Sequence, residues 1–418
     1  MNPFRFPFLS VLLLLLSVVA PAFAYDGIVT KKTFTMASYT TVGGKTISNV
    51  KIGWESYGTL NAAKDNVILI THPFSSNSHA AGKYASTDTS SGYWDAIIGS
   101  GKAIDTDRYY VISSDTLVNL RPYLDNVITT GPATKGPNGV EYGMNFPFVT
   151  IRDFVKVQKA LLDSLGITSL HAVAGLSMGG KQAMEWGNAY PHMVKRIISV
   201  VSHAYSDPSL VGLFHLMESF IKLDPKWKNG NYYATGQPQD GLREARKLII
   251  MIALDFQWFY EKYGRAWADG RKSARRNSFD EKYKIVADLD DGAREYIKNV
   301  DANHFLYLIK ATQDYIVGHN GSLEEELAKI KAPILFIYSP NDLIVSADKA
   351  CETVRMMRAI RDQAGNRAMV EFAKVEGNAG HMNSIYSIDQ AAHRIKRFLN
   401  REPYETPRRR ARRRDGCS

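Results

Sequence analysis

The chain has 418 residues, 45% of them hydrophobic and 22% charged, proportions ordinary for a soluble globular protein. These values exclude a mainly disordered chain, a collagen-like chain and a polytopic membrane protein, and the length suits one α/β core carrying a large insertion. The formal net charge is +10. Six arginines of that excess crowd into Pro403–Ser418 against Glu405 and Asp415, so the body is only mildly basic and nucleic acid is not an expected partner. The two cysteines, Cys351 and Cys417, exclude a disulfide scaffold and a cysteine-built zinc cluster. Because Cys417 sits in the Arg-rich tail, no bridge between them is expected.

Met1–Ala24 reads as a cleavable secretory signal. Arg5 supplies a weakly basic start, Phe8–Val19 an apolar run, and Ala22-Phe23-Ala24 a small-x-small cleavage pattern. The run falls short of the ~20 residues that span a bilayer. The mature chain is therefore expected in the periplasm or outside the cell, with no membrane span and no access to cytosolic NAD, ATP or acetyl-CoA.

Strands are predicted at Val50–Tyr57, Val67–Thr71 and Tyr109–Ser113. Helical spacing covers Ile151–Leu165, with Gly166 as its stop, and a buried strand follows at His171–Leu176. Lys181–Tyr190 reads as a helix and Arg196–Val201 as a strand. Residues 205–330 carry long helical patterns and aromatic clusters, and they read as a helical lid inserted into the core. Strands return at Pro333–Tyr338 and Met369–Lys374, and Asp389–Leu399 is the last helix. The alternation implies a mainly parallel sheet with helices on both faces. The expected organisation is thus a signal at 1–24, core at 25–204 and 331–402, lid at 205–330, and a disordered Arg-rich tail at 403–418.

The sharpest motif is Gly175-Leu176-Ser177-Met178-Gly179-Gly180, set between a buried strand and a helix. That context is the signature of a nucleophile elbow, in which Ser177 projects from the sheet end and glycines relieve crowding at the turn. Serine needs a base, and the base needs an orienting carboxylate. In this fold type the acid follows a late strand and the base comes after the next one. Asp342, in Ser339-Pro340-Asn341-Asp342, fits the acid, with Asp348 a distant second. His381, in Gly377-Asn378-Ala379-Gly380-His381, fits the base; His393 falls inside the final helix. An oxyanion would be held by the backbone N–H groups of Met178 and of Phe74, in the loop Thr71–Ser76; Pro73 has no N–H to offer. No metal-ligand spacing and no phosphate-cradling glycine loop is present, so no metal and no cofactor is expected.

Ordered blocks over most of residues 50–400 carry a resemblance. They include WESYGTLNAAKDNVILITHPFSSNSHAAG, GLSMGGKQAMEWGNAYP, DPKWKNGNYY, GLREAR, DANHFLYL and GNAGH. The chain resembles the homoserine O-acetyltransferase family of the α/β-hydrolase superfamily. The resemblance implies the triad Ser177, Asp342 and His381, an acyl-enzyme, a helical lid, and a homodimer through that lid. It also implies that Arg246, in GLREAR, meets a substrate carboxylate. Departures bear on the acceptor: Ala253 stands where the family has a tyrosine, Met382 where it has an aspartate, and Met217-Glu218 where it has a Gln-Arg pair. Each lost polar partner costs a buried polar acceptor ~1–3 kcal/mol. The expectation is an exported hydrolase of small-molecule esters, with acyl transfer to another alcohol or amine as the alternative and a non-catalytic binding protein as a third reading.

Overall fold

The structure is a computed structural model, and it describes residues 25–272, 275–366, 368–401 and 417. The expected signal Met1–Ala24 and nearly all of the Arg-rich tail lie outside the described residues.

The chain opens with a hairpin, β1 (Lys32–Thr40) and β2 (Thr46–Tyr57), followed by β3 (Val67–Thr71). A short parallel pair, β4 (Ile98–Gly99) and β5 (Ile104–Asp105), precedes β6 (Tyr110–Ser114). Then come α1 (Ile151–Ser164), β7 (Ala172–Leu176), α2 (Met178–Ala189) and β8 (Ile197–Val200). Six helices follow: α3 (Pro208–Leu223), α4 (Gln239–Ala253), α5 (Phe256–Tyr263), α6 (Lys284–Tyr296), α7 (Ala302–Gln313) and α8 (Leu323–Lys329). The chain closes with β9 (Ile334–Tyr338), α9 (Ala347–Gln363), β10 (Val370–Lys374), α10 (Asn383–Tyr386) and α11 (Ala392–Asn400).

Eight strands form one sheet in the order β1-β2-β6-β3-β7-β8-β9-β10. Only the β1–β2 and β2–β6 pairings are antiparallel; from β6 to β10 every neighbour runs parallel. The fully apolar VILIT of β3 shows why. Val67 and Leu69 join one core with Phe154 and Val155 of α1, Met184 and Trp186 of α2, and Val354 of α9. Ile68 and Ile70 join a second core on the other face with Trp94, Ile97 and Phe398 of α11. A strand buried on both faces has no polar alternation.

The hairpin strand β1 is missing from the sequence reading, because KTFTMASYT is half exposed and carries mixed polarity. Its place is set by distant partners. Asp153, which closes a capping box with Thr150 at the start of α1, also accepts the Tyr39 hydroxyl at 2.6 Å and the Val42 N–H at 2.7 Å. Among the 205–330 helices, α7 is buried along most of its length and belongs to the first core, with Phe305 edge-on to Phe74.

One expectation is overturned. Cys351 and Cys417 form a disulfide with Cα atoms 5.3 Å apart, and Cys417 is buried. Sequence position in a tail does not prevent pairing. The roughly 16 residues from the end of α11 to Cys417 can reach about 50 Å, far enough to return to Cys351 on α9.

Candidate active site

The parallel strands end together at one edge of the sheet, where the candidate residues collect. Ser177 follows β7 and caps α2 with φ 56° and ψ −121°, a conformation that costs a non-glycine residue strain. Its N–H donates to the Val200 carbonyl of β8 at 2.8 Å, which helps hold the turn. The glycines are required by space. A Cβ on Gly179 would overlap the Thr71 carbonyl oxygen, and one on Gly180 would run into Ser202. Met178 occupies the first position of α2, where an N–H has no intrahelical acceptor. Helix α2 therefore begins three residues earlier than Lys181, since the elbow folds straight into it.

Asp342 follows β9 and is buried. Its Oδ1 accepts the N–H groups of Ile344 and Val345 at 2.8 and 2.9 Å, and its Oδ2 lies 2.7 Å from Nδ1 of His381. This leaves Nε2 of His381 facing away from the carboxylate. Asp348, the second candidate acid, lies in the first turn of α9, where its N–H bonds the Ser346 hydroxyl.

The His381 turn has support that the sequence reading missed. Asn383 accepts the Ala379 N–H and donates to Gly377 O and to Ser339 Oγ beside Asp342. The Ser384 hydroxyl donates to His381 O, and Trp94 Nε1 donates to Ser384 O. A tertiary amide hub of this kind has no local sequence signature.

Phe74 lies in the loop after β3, beside the elbow, because Thr71 Oγ1 donates to Gly179 O at 2.8 Å. The loop is held on several sides. Asn119 donates to Ser76 O, Tyr296 to Ser75 O at 3.0 Å, and Gln182 to His72 O. His72 Nδ1 bonds Pro73 O, and burial pushes the His72 imidazole below its usual range, toward the neutral form. Further along, the Tyr57 hydroxyl accepts the N–H groups of Ala80 and Ala81 and donates to Glu55. Burial alone would raise the Glu55 carboxyl; hydrogen bonds from His79, Lys31 and Tyr84 outweigh it and draw it down to about 2.

Arg246 lies on α4, the helix whose Ala253 carbonyl approaches Gly380 next to His381. Ala253 is buried, and Met382 packs with Leu254, Phe259 and Ala379 in a small apolar cluster. Glu218, in place of the Gln-Arg pair, is neutralised by Lys222 and by Lys310 at 2.6 Å. Several aromatics of residues 205–330 are held by structural bonds: Tyr232 and Tyr233 bond Asp301 and Trp227 bonds Asn303, whereas Tyr260 is exposed. In the same segment Arg271 is likewise engaged, bidentate to Glu281 and stacked on Trp267. Among the described residues no group of three or more His, Cys, Asp or Glu could hold a metal ion.

A mainly parallel sheet, a serine elbow at its carboxyl edge and an Asp–His pair on the next loops define an α/β-hydrolase, and residues 100–387 match the family described as alpha/beta hydrolase fold. The homoserine O-acetyltransferase of Methanosphaerula palustris is 36% identical over 376 residues, 90% of this chain and 74% of that protein. That of Moorella thermoacetica is 35% identical, over 85% of this chain and 92% of its own. Among solved structures, esterase E22 is 45% identical with a TM-score of 0.84, covering 89% of this chain and 100% of that one. The homoserine O-acetyltransferase from Bacillus anthracis is 35% identical with a TM-score of 0.83, covering 90% and 99%. The chain belongs to the homoserine O-acetyltransferase family of the α/β-hydrolase superfamily, enzymes that act on ester and acyl groups.

Proposed function

We propose that the chain is an exported serine hydrolase that cleaves carboxylic esters through an acyl-enzyme on Ser177, His381 and Asp342. The observation that carries this reading is the 2.7 Å His381–Asp342 bond at the sheet edge that also bears the strained Ser177 turn. In the reaction His381 Nε2 takes the Ser177 proton as Oγ attacks the ester carbonyl. The N–H groups of Phe74 and Met178 hold the oxyanion. The imidazolium, stabilised by Asp342, returns its proton to the leaving alcohol as the C–O bond breaks. His381 then deprotonates a water, which attacks the acyl-enzyme and frees the acid and Ser177.

Acyl transfer to an alcohol or amine is the second reading, favoured by the identity to proteins named homoserine O-acetyltransferase. Hydrolysis is preferred because apolar Ala253 and Met382 stand where the resemblance puts polar partners for an acceptor. Export is supported by the Cys351–Cys417 disulfide, since such bonds persist in oxidising compartments. A homodimer through the 205–330 helices is supported by exposed Val211, Leu216, Phe220 and Leu223 on α3; light scattering on the purified chain tests it.

The deciding experiment is a p-nitrophenyl ester panel on residues 25–418 and on Ser177→Ala, with and without homoserine. The expected result is hydrolysis that ignores homoserine and falls by about 10³-fold or more in the variant. Diversion into O-acyl-homoserine would establish the transferase. No turnover of any ester and no labelling by a fluorophosphonate would leave a binding protein.

A further inference from the structure

Asn119 lies five residues beyond β6, the strand next to β3, and is wholly buried. The residue before it, Val118, has φ 51°, a left-handed backbone that a β-branched side chain adopts only under constraint. The constraints are visible. The Val118 N–H donates to Thr130 O at 3.0 Å, and the Asn119 N–H donates to Thr129 Oγ1, also at 3.0 Å. Asn119 O accepts from Nδ1 of His304, a buried side chain of α7, at 2.8 Å. Strain of this kind persists where the surroundings fix it, and here the backbone on both sides of the side chain is fixed.

The Asn119 amide has one possible orientation. Its Oδ1 accepts the Arg121 N–H at 3.1 Å, and its Nδ2 donates to Ser76 O at 3.0 Å. A backbone N–H cannot accept and a carbonyl cannot donate, so the two ends of the amide cannot be exchanged. Nδ2 also lies 3.5 Å from Nε2 of His72. Nδ1 of that ring bonds Pro73 O at 2.8 Å, which puts its proton on Nδ1. Burial pushes the ring toward the neutral form, so Nε2 is left as an acceptor facing the amide.

One NH2 group thus meets both ends of the segment His72–Ser76, whose centre is Phe74. The Ser76 N–H closes the segment by donating to Pro73 O at 3.2 Å. Among the described residues no acceptor meets the N–H of Phe74 or that of Met178, although both residues are buried. Unpaired backbone N–H groups are rare in an interior. These two stand where the end of β3 meets the elbow, close enough that a Cβ on Gly179 would lie 3.1 Å from His72 O.

We propose that Asn119 is a positioning residue for ester cleavage: by clamping both ends of His72–Ser76 it fixes where the Phe74 N–H points. The proposal rests on the serine-hydrolase reading, because only in that reaction do the two free N–H groups receive an oxyanion. Asn119 acts through the loop and not on the substrate. Its effect is felt as negative charge develops on the carbonyl oxygen, and so falls on kcat more than on KM.

The test follows Asn119→Ser on 4-nitrophenyl butyrate, with Asn119→Leu, which keeps more of the volume, as the second variant should the first unfold. In the folded variant kcat should fall by about ten- to hundredfold while KM moves by less than about threefold. Inhibition by 1,1,1-trifluoropentan-2-one, whose hemiketal with Ser177 bears the oxyanion, should weaken by a similar factor, and inhibition by pentan-2-one should not change. A kcat near the wild-type value, or equal weakening of both ketones, overturns the inference; Ser177-dependent hydrolysis by the wild-type chain then leaves the hydrolase reading intact. If the wild-type chain cleaves no ester and binds no trifluoroketone, the hydrolase reading falls and amide hydrogen exchange decides the clamp alone. Faster exchange confined to residues 72–76 in the variant upholds the clamp, and unchanged exchange overturns it.

Discussion

Lys181 sits one turn past Ser177 on α2 with its side chain wholly out of water. Its Nζ donates to Tyr205 O at 3.1 Å and lies 4.9 Å from the Tyr315 ring centre. Burial pushes its ammonium down to about 7, and Asp207 opposes this only in part. The unfolded chain keeps the ordinary value near 10.5, so between pH 7 and 10.5 it binds more protons than the folded one. Stability contributed by this site therefore rises with pH across that window, and the cost is complete below pH 7. Lys181→Met should raise stability at pH 7 by about 1–4 kcal/mol and by much less near pH 10; urea unfolding at both pH values measures it, and an equal gain at both would refute the assignment. The candidate residues legible in the sequence are those with a local signature. Ser177 is framed by glycines, Asp342 comes four residues after a buried strand, and His381 follows a glycine. Tyr296, which bonds Ser75 O, and Asn383, which bonds Ser339, reach partners far away in the chain, and a single sequence does not display those.

At the scale of the element, the long loop after β3 leans on a buried carboxylate. Ionised Glu55 accepts the Tyr57 proton, which turns the phenol's lone pairs toward the N–H groups of Ala80 and Ala81. Because the Glu55 carboxyl is drawn down to about 2, its contribution is present above its ordinary value near 4.5 and lost as pH falls from there through 2. Glu55→Gln should flatten stability over that range and lower kcat through a looser loop; an unchanged acid limb in thermal melts would count against it. Gly179→Ala should destabilise by at least about 1–3 kcal/mol, because backbone rather than a mobile side chain blocks the added methyl; near-native melting would contradict the tight elbow. The same contrast explains which elements were legible. Strands β3, β7 and β9 are continuous apolar runs that need no context. Half-exposed β1 and charge-rich α9 depend on the neighbours they cover, and both were missed.

At the scale of the molecule, one bond ties α9 to Cys417, far along the chain. The disulfide joins residues 66 apart in sequence, and a cross-link of that span stabilises by about 2–4 kcal/mol, chiefly by restricting the unfolded chain. Cys351→Ala should lower stability by that amount, and a reducing agent should do the same to the wild-type chain while leaving the variant unchanged. Indifference of the wild-type chain to reductant would show that the bond contributes nothing.

That bond also divides the proposed catalytic groups. Ser177 and Asp342 precede Cys351, whereas β10, the His381 turn and α11 all lie between the two cysteines. Pulled from its ends in an optical trap, the oxidised protein would carry tension across the sulfur bridge and never along the segment that bears His381. Roughly 230 Å of extended chain would stay hidden from the force until a thiol cut the bridge. Before that cut, Ser177 would be drawn out on a taut strand while His381 stayed slack inside the ring.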